Sequence, residues 1–248
     1  MNPKISLIFF PLLISFFSAS LFAQPYLATP VPFNRIMIND DFWSPRLENH
    51  SRVTLPVCIE QTQDSTQRIR NFEKAASLIK GEHEGKLYDD SDVYKAMEGI
   101  AYSLINNPNP EYEALLEKWI ALIAKSQEED GYLNTYFTLS HPKLKWTDMS
   151  WHEMYCGGHM IEAAIAHFKA TGHTSFLDVA TRFADHLDHN FGPGKQHWVP
   201  GHQEIELALV KLYRTTNERK YLDLAHWLLE ERGHGHGVSK NYEKPNRG

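Results

Sequence analysis

Two histidines stand in matching positions of this chain, each at the start of a helical pattern and directly after a break in it. His152 opens the predicted helix 152–171, and His202 opens the predicted helix 202–216. An imidazole donates a hydrogen bond from one nitrogen and accepts at the other, which suits neighbouring sugar hydroxyls. Because both histidines follow loops, we expect them at the mouth of a binding site. His159 lies two turns into its helix, so we expect it to be packed.

Two glutamates follow the second of these histidines. Glu204 and Glu206 come directly after His202 and Gln203. Retaining glycosidases need a carboxyl acid/base opposite a nucleophile. Acidic residues are, however, also favoured in the first turn of any helix by the macrodipole. We therefore expect Glu204 and Glu206 to stabilise the helix start or to support His202.

A group of aspartates opens an earlier predicted helix, 91–106. Asp90 or Ser91 is expected to be its N-cap. Three aspartates lie close together here, but the spacing and the central glycine of a calcium-binding EF-hand loop are missing. Capping is the favoured interpretation, and contact of Asp90 or Asp92 with a substrate stays open.

The side chains that could bind a metal ion form no known ligand pattern. His152 and Glu153 are followed by a histidine seven residues after the first, whereas zinc-binding H-E-x-x-H helices carry it at the fourth. Cys58 and Cys156 are the two cysteines of the chain, too few for a zinc site of their own. We expect both thiols to be buried and unpaired. The sequence therefore predicts no metal ligand in this chain.

Helical periodicity covers most of the sequence, and no segment alternates with the period of a strand. A spacing of 45 residues relates Phe168 to Tyr213 and Leu177 to Leu222. Repeated helical hairpins predict an all-α fold, an α/α toroid whose inner helices face the axis while outer helices cover them. The eight predicted helices span residues 46–63, 67–80, 91–106, 110–127, 152–171, 174–189, 202–216 and 218–232.

The N-terminus predicts a secretory signal peptide. Lys4 gives it a positive head, an apolar stretch runs from Ile5 to Phe22, and Ala23 precedes a plausible cleavage point. We therefore expect a periplasmic or secreted protein without a stable membrane anchor after cleavage. The formal net charge of −6 argues against nucleic acid as a partner. The predicted segments are the signal peptide 1–23, an extended lead-in 24–45, the helical domain 46–233 and a flexible tail or truncation point 234–248.

Four motifs occur in one order and together resemble glycoside hydrolase family 127, the β-L-arabinofuranosidases once called DUF1680 proteins, and the related family 146. The motifs begin at Asp89, Asp130, His152 and Gly201, and read DDSDVYK, DGYLNT, HEMYCGGHMIEAA and GHQEIELAL. The resemblance implies an (α/α)6 toroid, of which this chain holds about eight of twelve helices as its N-terminal part. It implies retaining removal of terminal β-L-arabinofuranose from arabinose-containing plant glycans, so the expected partner is an oligosaccharide or polysaccharide.

The same resemblance implies where the chemistry lies. Family members use a cysteine nucleophile held on Zn²⁺ by three cysteines and a glutamate, with another glutamate as acid/base. The family's sugar-contacting histidines fall on His152 and His202. Cys58 and Cys156 match none of the zinc or nucleophile positions, so no catalytic residue is assigned, and the chain is expected to be inactive alone. Two other hypotheses stay open: a non-catalytic glycan-binding toroid, or another α/α-toroid enzyme such as a sugar epimerase or unsaturated uronyl hydrolase.

Overall fold

The computed structural model describes residues 30–234, and this range is built from helices with no β-sheet. The predicted signal peptide, the start of the lead-in before residue 30 and the tail after residue 234 lie outside the described residues. Within the described range, no helix combines the length and the apolar character needed to cross a bilayer.

All eight predicted helices have counterparts. The first is one continuous run, in which a π-helical turn His50–Thr54 joins the segments α1 and α2 and a second, Gln61–Ser65, follows them. The bounds are α1 Trp43–Asn49, α2 Leu55–Glu60, α3 Arg68–Ala75, α4 Asp90–Asn106, α5 Pro110–Ser126, α6 Thr135–Ser140, α7 Glu153–Thr171, α8 Ser175–Asn190, α9 Glu204–Thr216 and α10 Arg219–Glu230.

Two features of these elements differ from the prediction. The helix predicted over 67–80 ends at Ala75, because Ser77 takes a left-handed conformation with φ 58° and turns the chain away. The short helix α6 was not predicted. It is capped by Asn134, whose side-chain oxygen accepts from the backbone N–H of Phe137 at 3.2 Å. At six residues, α6 is too short to show a hydrophobic period.

The helices form an incomplete α/α toroid. Helices α4, α7 and α9 pack side by side as the inner row, and α5, α8 and α10 cover them from outside. Gly172 and Asn217 adopt left-handed conformations and end the two inner helices α7 and α9. They are related by the same 45-residue spacing that the sequence shows. Short turns therefore lie at one end of the array, and the long loops enter the inner helices at the other.

Helix α7 is the centre of the core and approaches its neighbours closely through two glycines. A Cβ on Gly157 would lie 2.0 Å from Cε1 of Phe183 on α8, and one on Gly158 would lie 2.7 Å from Cγ of Glu204 on α9. Cys156 is buried next to these contacts. Its Sγ faces the carbonyl of Tyr88, on the loop before α4, at 3.6 Å. Cys58 is half-buried, and neither cysteine forms a disulfide.

Candidate functional site

The structure brings His152 and His202 together at the long-loop end of the inner row. His152 immediately precedes α7 and His202 lies just before α9. Their Nε2 atoms are 3.2 Å apart, and the ring centroids are 5.0 Å apart. At this distance a hydrogen bond between the rings requires that one Nε2 donates and the other accepts.

An aromatic side chain that the sequence analysis did not single out supports both imidazoles. The ring of Tyr155 lies 4.9 Å from that of His202 and 5.4 Å from that of His152. Its hydroxyl accepts a hydrogen bond from Lys95 Nζ on α4 at 2.7 Å. The ring of Tyr88 packs on the other side of His152 at 5.2 Å. Two neighbouring inner helices thus fix Tyr155 beneath the histidine pair.

A polar stripe continues from this pair along the inner helices. On α7 the stripe lies on the side of the helix that faces away from α8. The side that packs on α8 is the one with Gly157, which faces Phe183. Contacts between helices join the stripe: Nδ1 of His159 lies 3.3 Å from Oε1 of Glu204, and Lys211 pairs with Glu162. Its accessible polar members recur every three or four residues on two of the helices, as Lys95, Glu98 and Tyr102 on α4 and as Tyr155, His159 and Glu162 on α7. On α9 they are Glu204 and Lys211, seven residues apart.

Burial shifts the titration of this stripe. The pKa of His152 is lowered by burial first, and then by His202 and the charge of Lys95. Burial, with Lys95 as the next cause, lowers the pKa of His159 to about 4. Burial, with the nearby charge of Glu162, raises the pKa of Glu204 to about 7. At neutral pH His152 and His159 are therefore largely uncharged and Glu204 is about half protonated, which suits a ligand rich in hydroxyls better than an anion.

His159 and Glu204 lie elsewhere than expected. His159 was expected to be packed, but its side chain is 15 % exposed and stands on the polar stripe. Glu204, expected to stabilise its helix or support His202, contacts His159 instead. Glu206 is buried on the opposite side of α9, where Oε1 accepts from Nη2 of Arg232 at 2.8 Å.

The two aspartates at the start of α4 have different surroundings. Asp90 is buried, and its two oxygens accept from the backbone N–H of Thr135 at 2.7 Å and from its hydroxyl at 2.5 Å. The prediction that Asp90 or Ser91 caps α4 is wrong, because no side chain caps this helix and the carboxylate is engaged with α6. Burial raises the pKa of Asp90 to about 6. Asp92 is more accessible and accepts from Nε of Arg68 at 2.8 Å.

The side chains of this site do not fit the zinc ligand set that the sequence resemblance implies. That set needs three cysteines and a glutamate, and the chain has two cysteines. Burial raises the pKa of the Cys156 thiol well above its usual range, so it is held as a thiol. His159, Glu162 and Glu204 bring three donor atoms within 4.8 Å of one another, but Lys211 is paired with Glu162. No catalytic step is therefore assigned to a metal ion here.

Comparison with known proteins gives consistent matches. Residues 35–247 match the family model described as β-L-arabinofuranosidase, GH127 catalytic domain. The curated non-reducing end β-L-arabinofuranosidase of Bifidobacterium longum subsp. longum is 44% identical over 182 residues, which make up 70% of this chain and 28% of that protein.

Solved structures show the same similarity. A GH127 β-L-arabinofuranosidase from Geobacillus stearothermophilus T6 is 40% identical with a TM-score of 0.77, over 79% of this chain and 32% of that one. A second GH127 β-arabinofuranosidase is 38% identical with a TM-score of 0.78, over 87% of this chain and 36% of that one. The chain thus spans about a third of the length of these relatives.

Proposed function

Because this chain belongs to the family of GH127 β-L-arabinofuranosidase catalytic domains, we propose that its His152–His202 pair binds the terminal sugar of a β-L-arabinofuranosyl glycan. The observation that carries the proposal is the 3.2 Å contact between the two Nε2 atoms at the start of neighbouring inner helices. Imidazoles held this close present a donor and an acceptor to the same small ligand.

The chemistry of the pair matches a sugar hydroxyl. A hydroxyl both donates and accepts, so it replaces the contact between the two imidazoles with one hydrogen bond to each. The ring of His152 packs against those of Tyr88 and Tyr155. Its Nδ1 is buried and has no hydrogen-bond partner among the described residues, which leaves Nε2 as the polar edge. The ring of Tyr155 adds an apolar surface beside the pair for the C–H groups of a furanose.

The proposed reaction of the protein is hydrolysis of the terminal β-L-arabinofuranosyl bond, and the role of this chain in it is sugar binding. Retaining hydrolysis needs a nucleophile and an acid/base on the two sides of the scissile bond. Cys156 is buried and cannot reach a sugar at the histidine pair, because its Sγ faces the Tyr88 carbonyl. We therefore expect binding without turnover from this chain alone. The family's zinc and its thiolates would have to come from residues other than Cys58 and Cys156.

Calorimetric titration with methyl β-L-arabinofuranoside tests the binding role. His152→Ala and His202→Ala should each weaken binding by about 1 kcal/mol, roughly fivefold, because each variant loses one hydrogen bond to the sugar. His226→Ala is the matched control, because His226 is exposed on the outer helix α10. Unchanged affinity in both pair variants, with retained helical circular dichroism, would refute the proposal.

We also propose that the protein is exported to the periplasm or the medium. The support is the positive head at Lys4, the apolar stretch from Ile5 to Phe22 and the small residue Ala23. Material recovered from outside the cytoplasm should begin at or near Gln24 on N-terminal sequencing. An intact Met1 in a membrane fraction would contradict export by cleavage.

A further inference from the structure

A second cluster of metal-ligating side chains lies at the short-turn end of the array, away from the histidine pair. Glu117 comes from the outer helix α5, His167 from the last turns of α7, and His173 from the turn between α7 and α8. Their donor atoms all lie within 4.8 Å of one another. All three line the same surface cleft, whose volume is about 530 Å³.

The spacing of the donors is close to that of a zinc ligand set. Oε1 of Glu117 lies 3.4 Å from Nε2 of His167 and 3.2 Å from Nδ1 of His173. Two ligands that bind zinc tetrahedrally at about 2.0–2.2 Å are separated by roughly 3.3–3.6 Å. Two of the three distances between donor atoms are therefore already close to those found around a tetrahedral zinc ion.

The surroundings favour a metal ion over a simple ion pair. His167 is 2 % exposed and lies on the long helix α7, so its Nε2 is a nitrogen donor held in a fixed position. Glu117 and His173 face it from α5 and from the turn before α8. Both are partly exposed, which leaves the remaining coordination positions to water. One buried imidazole on a rigid helix and two accessible ligands make an open site with an entry path.

We propose that Glu117, His167 and His173 bind one divalent transition-metal ion, with Zn²⁺ as the best match. Imidazole nitrogen with one carboxylate favours zinc, cobalt and nickel over calcium or magnesium, which prefer oxygen ligands. The ion ties α5 to the end of α7 and to the turn before α8, so its effect is to hold two neighbouring hairpins together. The site is independent of the proposed sugar binding.

Zinc titration of the purified, metal-stripped chain tests this site by calorimetry, with Co²⁺ as the spectroscopic probe. The wild-type chain should bind one Zn²⁺ at this site, give the visible absorption of tetrahedral cobalt, and melt at a higher temperature with zinc. Glu117→Gln and His173→Ala should each weaken zinc binding at least tenfold and abolish the cobalt spectrum. Both positions are accessible, so the folded state should survive these changes.

Two control variants locate the ion. His226→Ala removes an exposed histidine 3.8 Å from Glu230, a pair that belongs to no group of three donors in residues 30–234, and it should leave zinc binding unchanged. Glu204→Gln disables the donor set near the histidine pair and should also leave it unchanged. Absence of zinc binding overturns the proposal, as does binding that survives both Glu117→Gln and His173→Ala, or binding that Glu204→Gln abolishes.

Discussion

Glu153 is the first residue of α7, and its buried carboxyl should make the stability of the protein depend on pH. Its side chain contacts the loops on both sides of α6, and Oε1 accepts from the hydroxyl of Tyr132 on the loop before α6 at 2.6 Å. The backbone N–H of Trp146 donates to the same carboxyl at 3.1 Å. Glu153 is 1 % exposed, and burial raises its pKa from 4.5 to about 8. The folded protein therefore favours the protonated acid.

The sign and size of the effect follow from this shift. An acid whose pKa is higher in the folded than in the unfolded protein contributes stability below its unfolded pKa. That contribution is lost as the pH rises towards the folded value. One pKa unit corresponds to ~1.36 kcal/mol, so between about pH 5 and pH 7 the ionisation of Glu153 in the unfolded chain costs about 2.5 kcal/mol of stability. Glu153→Gln keeps an acceptor for Tyr132 and Trp146 but cannot ionise.

Urea unfolding of wild type and Glu153→Gln across this pH range measures the effect directly. The stability of the variant relative to wild type should rise by about 2.5 kcal/mol from about pH 5 to pH 7. Taking the difference removes the contributions of other titrating groups. Glu129→Gln, an exposed change on the loop that carries Tyr132, should show no such trend. A difference that stays constant with pH, or falls as pH rises, would refute the reasoning.

Three further predictions concern packing, a buried ion pair and turnover. Gly157→Ala should lower the free energy of unfolding by about 1–3 kcal/mol, because the new Cβ would lie 2.0 Å from Phe183. This loss should exceed the gain from the better helix propensity of alanine. An unchanged melting temperature would contradict the prediction. Arg232→Met should cost about 2–4 kcal/mol of stability by leaving the buried side chain of Glu206 without its ion-pair partner. Adding Glu206→Gln should restore part of this loss, and no loss in urea unfolding would disprove the pair's role. The chain alone should not release p-nitrophenol from p-nitrophenyl β-L-arabinofuranoside, and zinc-dependent turnover would show that it holds a complete site.

The sequence predicted the long helices well because their apolar periodicity is repeated over many turns. The 45-residue spacing also identified the hairpin repeat, which returns in the left-handed ends Gly172 and Asn217. Features that depend on single residues were not predictable in this way. At the start of α1, for example, the side chain of Asp40 accepts from the backbone N–H groups of Phe42 and Trp43. Several nearby polar residues could fill that position, and only the path of the chain decides between them.

The candidate site was predictable in part. The sequence placed His152 and His202 at equivalent helix starts, but their contact depends on how closely α7 and α9 pack, which no local pattern gives. Tyr155 was missed because its partner Lys95 is 60 residues away and becomes a neighbour only in the array. The different directions of Glu204 and Glu206 could have been foreseen, since residues two apart on a helix point to opposite sides.

The imidazole nitrogens of His152 and His202 report most directly on whether this pair binds the sugar. The ¹⁵N NMR spectrum of histidine-labelled protein, titrated with methyl β-L-arabinofuranoside, follows both rings at once. We expect the Nε2 signals of both histidines to shift together along one binding curve, because one hydroxyl replaces their shared hydrogen bond. His226 should stay unchanged. Saturable sugar binding that leaves both Nε2 signals in place, or no binding at all, would contradict the assignment of this pair to the sugar.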